Sequence, residues 1–331
     1  MNPPKKIWLL KLIIPVRYGN ILTGIVLLAV LLPLFYQGAS EDKAHSTPVL
    51  FFSFIIAYII PIFSYITANS QAALLALRPQ LDMNDKAFAH ARLLLVSSSP
   101  ARVAITIAAG ALCGMVHMTF IRGSVAAVFS SMFATVEGFM STLGAILVWV
   151  IMTTVIDMLI QQALLFARLG AKTVRVNLFN TRQLLPFARV SIGSSLAIIG
   201  ALALFPLLSF EGAFEPVESL PGAIATFFPL VALFIIPVWP LHRRMADMKQ
   251  QQLDRTNESI DVCLQNGHAG ELEPATLDKL APLLAYKREI AGVPTWPFDI
   301  GNMTRLSLYL IIPPLTWVAA ALIENLVDAV L

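Results

Sequence analysis

A chain of 331 residues with 57% hydrophobic and 13% charged residues carries about half the charge of an ordinary soluble domain, near 25%. With a mean hydropathy of +0.75, it is read as one membrane domain, residues 1–331, embedded in a lipid bilayer. The 23 Lys and Arg against 20 Asp and Glu leave a net charge of +3, the near balance of acidic and basic residues in the polar insertion 242–293 argues against nucleic-acid binding, and two cysteines, Cys113 and Cys263, exclude a disulfide framework or a cysteine metal site.

In chain order, Trp8, Leu9, Leu10, Ile13 and Ile14 among Lys5, Lys6, Lys11 and Arg17 predict a short helix lying on the membrane surface. The apolar run from Ile21 to Tyr36 is longer than a signal-peptide core, so it is kept as a first span over about 20–36. Span two is expected at about 49–67, followed by a polar stretch, 68–100, with a surface helix from Asp85. Span three, about 101–120, carries Gly110 and Gly114, a small-x-x-x-small pair that lets another helix approach. Val125–Ala134 is apolar but too short to cross about 30 Å of hydrocarbon, so 121–138 is read as interfacial or re-entrant.

Span four is long, about 139–166, and a basic loop with Arg168, Lys172, Arg175, Arg182 and Arg189 follows it. Span five, about 190–209, places Gly193, Ala197 and Ala201 at four-residue steps, again a close-packing face. After an acidic loop comes span six, about 223–241. Residues 242–293 then read as a helical hairpin, with a turn at Gly267–Gly270 and an apolar face of Leu277, Leu280, Leu283 and Leu284 on its second helix. Span seven, about 306–330, contains Pro313-Pro314.

Seven spans put 21 of the 23 cations on one side, leaving only Lys43 and Arg122 on the other. An even count would split the basic segments between both sides, against the tendency of flanking Lys and Arg to stay in the cytoplasm. The expected architecture is therefore an all-α polytopic bundle with seven transmembrane helices, N-terminus inside and C-terminus outside. On this topology 68–100 is a cytoplasmic loop helix and 242–293 a cytoplasmic hairpin.

Three groups of residues are candidates for function. In span four, Thr153, Asp157 and Gln161 recur at four-residue steps as one polar stripe, and Asp157 stands about ten residues, or about 15 Å, from the basic loop. A carboxylate inside hydrocarbon is costly unless paired, protonated or wet, which makes it a candidate for ion or proton passage. In span seven, Pro313 and Pro314 release the carbonyls of Tyr309 and Leu310, with Thr316 nearby, as in the broken helices that coordinate ions in transporters. At the junction before it, Trp296, Pro297, Phe298 and Asp299 suit the headgroup zone and form an interfacial hinge. The five histidines show no metal-ligand spacing, and there is no H-E-x-x-H, P-loop, glycine-rich nucleotide fingerprint or G-x-S-x-G. No enzyme activity, metal or cofactor is expected.

Residues 283–328, with Trp296 to Asp299 ahead of a proline-bearing last span, resemble the C-terminal pattern of uncharacterised bacterial polytopic inner-membrane proteins. The resemblance implies a bacterial cytoplasmic membrane and no particular chemistry. Two functions are weighed. One is a channel-like or transport-like protein with a polar path near spans four and seven. The other is an accessory or signalling protein whose hairpin docks a partner, either a second copy or a cytoplasmic protein. A stripe facing a wet cavity favours the first, and a sealed stripe beside an exposed apolar hairpin face favours the second.

Overall fold

A computed structural model describes residues 5–36, 47–204, 216–265 and 274–296. Helices dominate: α1 (Gly19–Tyr36), α2 (Thr47–Leu77), α3 (Asp85–Leu94), α4 (Pro100–Arg122), α5 (Val125–Ala134), α6 (Val136–Lys172), α7 (Leu185–Leu202), α8 (Pro216–Ile235), α9 (Trp239–Gln265) and α10 (Pro274–Gly292). Two two-residue strands, β1 (Lys5–Lys6) and β2 (Ser97–Ser98), pair antiparallel. Among the described residues five helical segments are long and apolar enough to cross a membrane: Gly19–Tyr36, Leu50–Gln80, Pro100–Arg122, Val136–Lys172 and Thr181–Leu202. They overlap the first five expected spans, but the fifth starts earlier than the expected 190, so that Arg182 and Arg189, read as loop, fall inside the helical segment. The expected sixth, 223–241, is divided between α8, which ends at Ile235, and the start of α9 at Trp239, and the seventh lies outside the described residues.

The centre of the bundle is α6, which touches α1, α2, α4, α5, α7, α8 and α9. Its closest partner is α4, running antiparallel to it. A Cβ built on Gly110 would sit 2.6 Å from Val150 Cα, and one on Gly114 2.8 Å from Ile146 Cα. Both glycines are thus needed for backbone-to-backbone approach, which is how small residues drive helix association where lipid supplies no hydrophobic force. The expected small face of α7 is only partly realised. Ala197 and Ala201 are buried, but Gly193 has open space around it.

Several boundaries differ from the sequence reading, each for a physical reason. The N-terminal segment is not a surface helix. Lys5 and Lys6 pair with Ser98 and Ser97, Ile7 N–H donates to the Val96 carbonyl at 3.1 Å, and a 3-10 turn over Trp8–Lys11 buries Leu9 and Leu10. The apolar residues there find a protein core, so they have no need of lipid. At the other end of span four the helix does not stop at 166, because Phe166, Ala167, Leu169 and Gly170 are buried and their cover carries α6 through the basic residues to Lys172. Span two likewise continues as α2 to Leu77, with Ala73, Leu74 and Leu77 buried.

These extensions build a second hydrophobic core, distinct from the one inside the bundle. It joins Leu74 and Leu77 of α2, Leu95 after α3, Phe166 and Leu169 of α6, Phe187 of α7, and Leu241 and Met245 of α9. The strand-like segments around it are tied as well: Leu81 bridges Val174, Asp82 N–H donates to Thr173 and Arg175 N–H to Gln80. The ends of α2 and α6, the starts of α4, α7 and α9, and the β1–β2 pair therefore lie together at one end of the bundle. Most of the described cations gather there.

The stretch 121–138 contains α5, ten residues capped by the Ser124 hydroxyl and followed directly by the Thr135 cap of α6. It packs on both α4 and α6. Beyond the second core, α9 and α10 pack side by side. Lys249 of α9 donates to the Ala291 and Val293 carbonyls at 2.7 and 2.9 Å, placing a cation on the exposed acceptors at the C-terminal end of α10. Pro282 sits within α10 without ending it.

Candidate functional site

The polar stripe of α6 begins with two threonines that serve their own helix. Thr153 and Thr154 hydroxyls donate to the carbonyls of Trp149 and Val150, four residues back, at 2.6 and 2.8 Å. Such bonds satisfy a hydroxyl inside an apolar span without any outside partner. Thr153 is therefore not bonded to Asp157, although the two share a face.

Asp157 is paired across to α4. Arg102 Nε lies 3.2 and 3.1 Å from its two carboxylate oxygens and Arg102 Nη2 lies 2.7 Å from Oδ1. This is the planar two-point fit that guanidinium makes with carboxylate. From the next turn of its own helix, Gln161 Nε2 donates to Oδ2 at 2.7 Å. The Asp157 side chain is 21% exposed and that of Arg102 47%. The acid is thus neutralised in place and roofed by two side chains.

One residue further, Gln162 is buried and points the other way. Its amide donates to Thr67 Oγ1 at 3.1 Å and to the Leu95 carbonyl at 3.0 Å, while its carbonyl accepts from Ser70 Oγ at 3.1 Å. Both N–H groups and the oxygen are used, so the amide joins α2, α6 and the α3–β2 connection without leaving a polar atom orphaned. Adjacent glutamines thus have different roles: Gln161 steadies a largely covered carboxylate and Gln162 cross-links the bundle.

Deeper along the same pair of helices, Trp149 Nε1 donates to His117 Nδ1 at 2.9 Å, with the rings edge to face at 5.6 Å. With Gly110 and Gly114 between them, the Arg102–Asp157 and His117–Trp149 contacts fix the α4–α6 register at both ends of the glycine seam.

The hinge residue Trp296 stacks on His242 at 3.9 Å between ring centroids and lies 6.1 Å from Trp239. His242 Nδ1 is 3.1 Å from the Thr295 carbonyl, and the Arg243 guanidinium covers the Trp239 ring at 5.3 Å. This aromatic and basic cluster brings the end of the hairpin back to the start of α9. Pro297, Phe298 and Asp299, and the span-seven candidates Tyr309, Pro313, Pro314 and Thr316, lie outside the described residues.

On α10, Leu277 and Leu284 are each 47% exposed, whereas Ile290 is fully buried and Tyr286 meets Phe179 at 5.9 Å. The helix thus turns one side to the protein and keeps part of its leucine face outward. Among the described residues no group of three or more His, Cys, Asp or Glu could hold a metal.

Sequence reasoning missed Arg102 as the partner of Asp157. The signal was present, since Arg102 is the only cation in the first turn of span three. Pairing it to Asp157 requires the α4–α6 register, which the sequence alone does not give. Comparison with family models, with curated proteins and with solved structures found no match to this chain.

Proposed function

We propose that this is a seven-span protein of a bacterial cytoplasmic membrane, N-terminus inside and C-terminus outside, that uses the α9–α10 hairpin to dock a cytoplasmic protein. The observation that carries this reading is the closed state of the polar stripe: Asp157 is engaged by Arg102 and Gln161, and Gln162 is saturated by Thr67, Ser70 and Leu95. Groups that bind and release an ion need open coordination, whereas Asp157 already receives Arg102 and Gln161 and the buried Gln162 has every polar atom engaged. The outward leucines of α10 supply the apolar face that a docking surface requires. The gathering of basic residues around the second core supports placing that end, and the hairpin with it, in the cytoplasm.

A photo-cross-linking residue in place of Arg288, on the Leu277–Leu284 side of α10, should give a discrete adduct in native membranes. Leu277→Asp with Leu284→Asp should abolish it. An unchanged adduct in the double variant would remove the face from consideration, and an adduct of twice the chain mass would assign it to a second copy of this protein.

The transport-like reading, with its polar path near spans four and seven, makes a contrary prediction at the stripe. Asp157→Asn keeps the shape and one acceptor but removes the charge. On the docking reading, ion flux in reconstituted vesicles should be the same for this variant and the unaltered protein, with stability changed by about 1 kcal/mol or less because Arg102 is half exposed. Flux that is present in the unaltered protein and lost in the variant would reinstate transport. For the topology, reporter fusions at Leu331 and within 250–270 should report opposite sides, and agreement between them would refute an odd number of spans.

A further inference from the structure

The charged residues of the central helix pair fall at matching intervals. On α4, Arg102 and Arg122 are twenty residues apart, and on α6, Glu137 and Asp157 are also twenty apart. At about 1.5 Å per residue each interval is about 30 Å, the thickness of a bilayer's hydrocarbon core. Because the helices are antiparallel, Arg102 meets Asp157 at one end. The segment between the charges is apolar on both helices, and large side chains such as Leu112 (65% exposed) and Ile105 (67% exposed) face outward from α4.

A third helix agrees. Thr67 and Ser70 of α2 are hydrogen-bonded to Gln162 and so lie just past the level of Asp157, and twenty residues back from Thr67 is Thr47, the first residue of α2. Beyond this level α6 continues for fifteen residues, about 22 Å, into the second hydrophobic core.

We propose that the Arg102–Asp157 pair lies in the phospholipid headgroup layer, and that everything past it is a folded layer standing in water. In that layer Arg102 Nη1, which makes no hydrogen bond among the described residues, is free to meet a lipid phosphate while Nε and Nη2 hold Asp157. The placement also removes the cost of an acid in mid-bilayer, since a partly exposed pair at the interface is hydrated. It follows that α2 and α6 carry the membrane-embedded bundle and the water-exposed core on continuous helices. Movement in one would then be transmitted to the other.

This inference rests on the membrane reading, and the test separates the two. The protein is reconstituted in phosphatidylethanolamine–phosphatidylglycerol vesicles and treated with N-ethylmaleimide, which crosses bilayers but reacts with thiolate in water. Cys113, exposed on the fold and eleven residues from Arg102, should remain unlabelled until the vesicles are dissolved and the protein denatured. In a variant without native cysteines, Leu164→Cys should be labelled fully in intact vesicles, because Leu164 is 38% exposed and lies seven residues past Asp157. Gln161→Cys provides a second position should the first fail to fold. Labelling of Cys113 would overturn the membrane reading and the placement together. A protected Cys113 with Leu164→Cys and Gln161→Cys also protected would overturn the placement alone, returning Asp157 to the hydrocarbon.

Discussion

Gly110→Leu should abolish the folded protein in detergent, seen as loss of the monodisperse peak in size exclusion and aggregation at temperatures the unaltered protein survives. A first side-chain carbon at this position already lies 2.6 Å from Val150 Cα and 3.0 Å from the Trp149 carbonyl oxygen. These are backbone atoms, so no rotamer change can make room. The two helices must separate, which breaks the Arg102–Asp157 and Trp149–His117 bonds on either side of the seam. Overpacking alone costs about 1–3 kcal/mol, and loss of the flanking contacts adds to it. Gly110→Ala should be milder but still measurable. Gly193→Ala, with open space around the glycine, serves as the control and should leave stability unchanged or slightly raised, because alanine favours the helix. A stable Gly110→Leu protein would mean that α4 and α6 are not in direct backbone contact.

Gln162→Leu should destabilise by about 2–4 kcal/mol, since it leaves the Ser70 and Thr67 hydroxyls and the Leu95 carbonyl without their partner in a buried site, at about 1–3 kcal/mol for each unsatisfied group. Hydroxyls can turn to carbonyls of their own helix, so the Leu95 carbonyl bears the largest share. Thermal unfolding followed by loss of helical signal measures the total. Hydrogen exchange localises it, with faster exchange expected over Leu93–Ser98 and at the Ile7 N–H, whose bond to the Val96 carbonyl ties down the N-terminal strand. Gln161→Leu, one residue away, should cost far less because the bidentate Arg102 contact remains. Equal losses for the two glutamines would contradict their different roles.

Composition and hydropathy by themselves pointed to a bundle of helices long and apolar enough to cross a membrane, and the positions of its first five apolar segments follow from runs of residues that only a bilayer or a bundle interior can accept. The glycine pair of α4 was equally legible, because small residues four apart in an apolar helix have few uses besides close packing. So were the hairpin helices, whose apolar spacing repeats with the turn of a helix. The equal twenty-residue intervals between charges on α4 and α6 also stand in the sequence, but without the antiparallel pairing they read as unrelated boundaries.

What tertiary structure alone decided is where the helices end and what the polar residues do. Leu74, Phe166 and Leu169 could be lipid-facing or buried by sequence; their assembly with Phe187, Leu241 and Met245 into a second core extends α2 and α6 past the apolar runs that had marked their limits. Trp8, Leu9 and Leu10 look like a membrane-surface face until Ile7 and its neighbours pair with residues some ninety positions later. Asp157 is an isolated acid in one dimension and half of an ion pair in three. The physical reason is the same in each case: burial and hydrogen bonding depend on partners distant in sequence, and a residue's own pattern records that it needs a partner without recording which one.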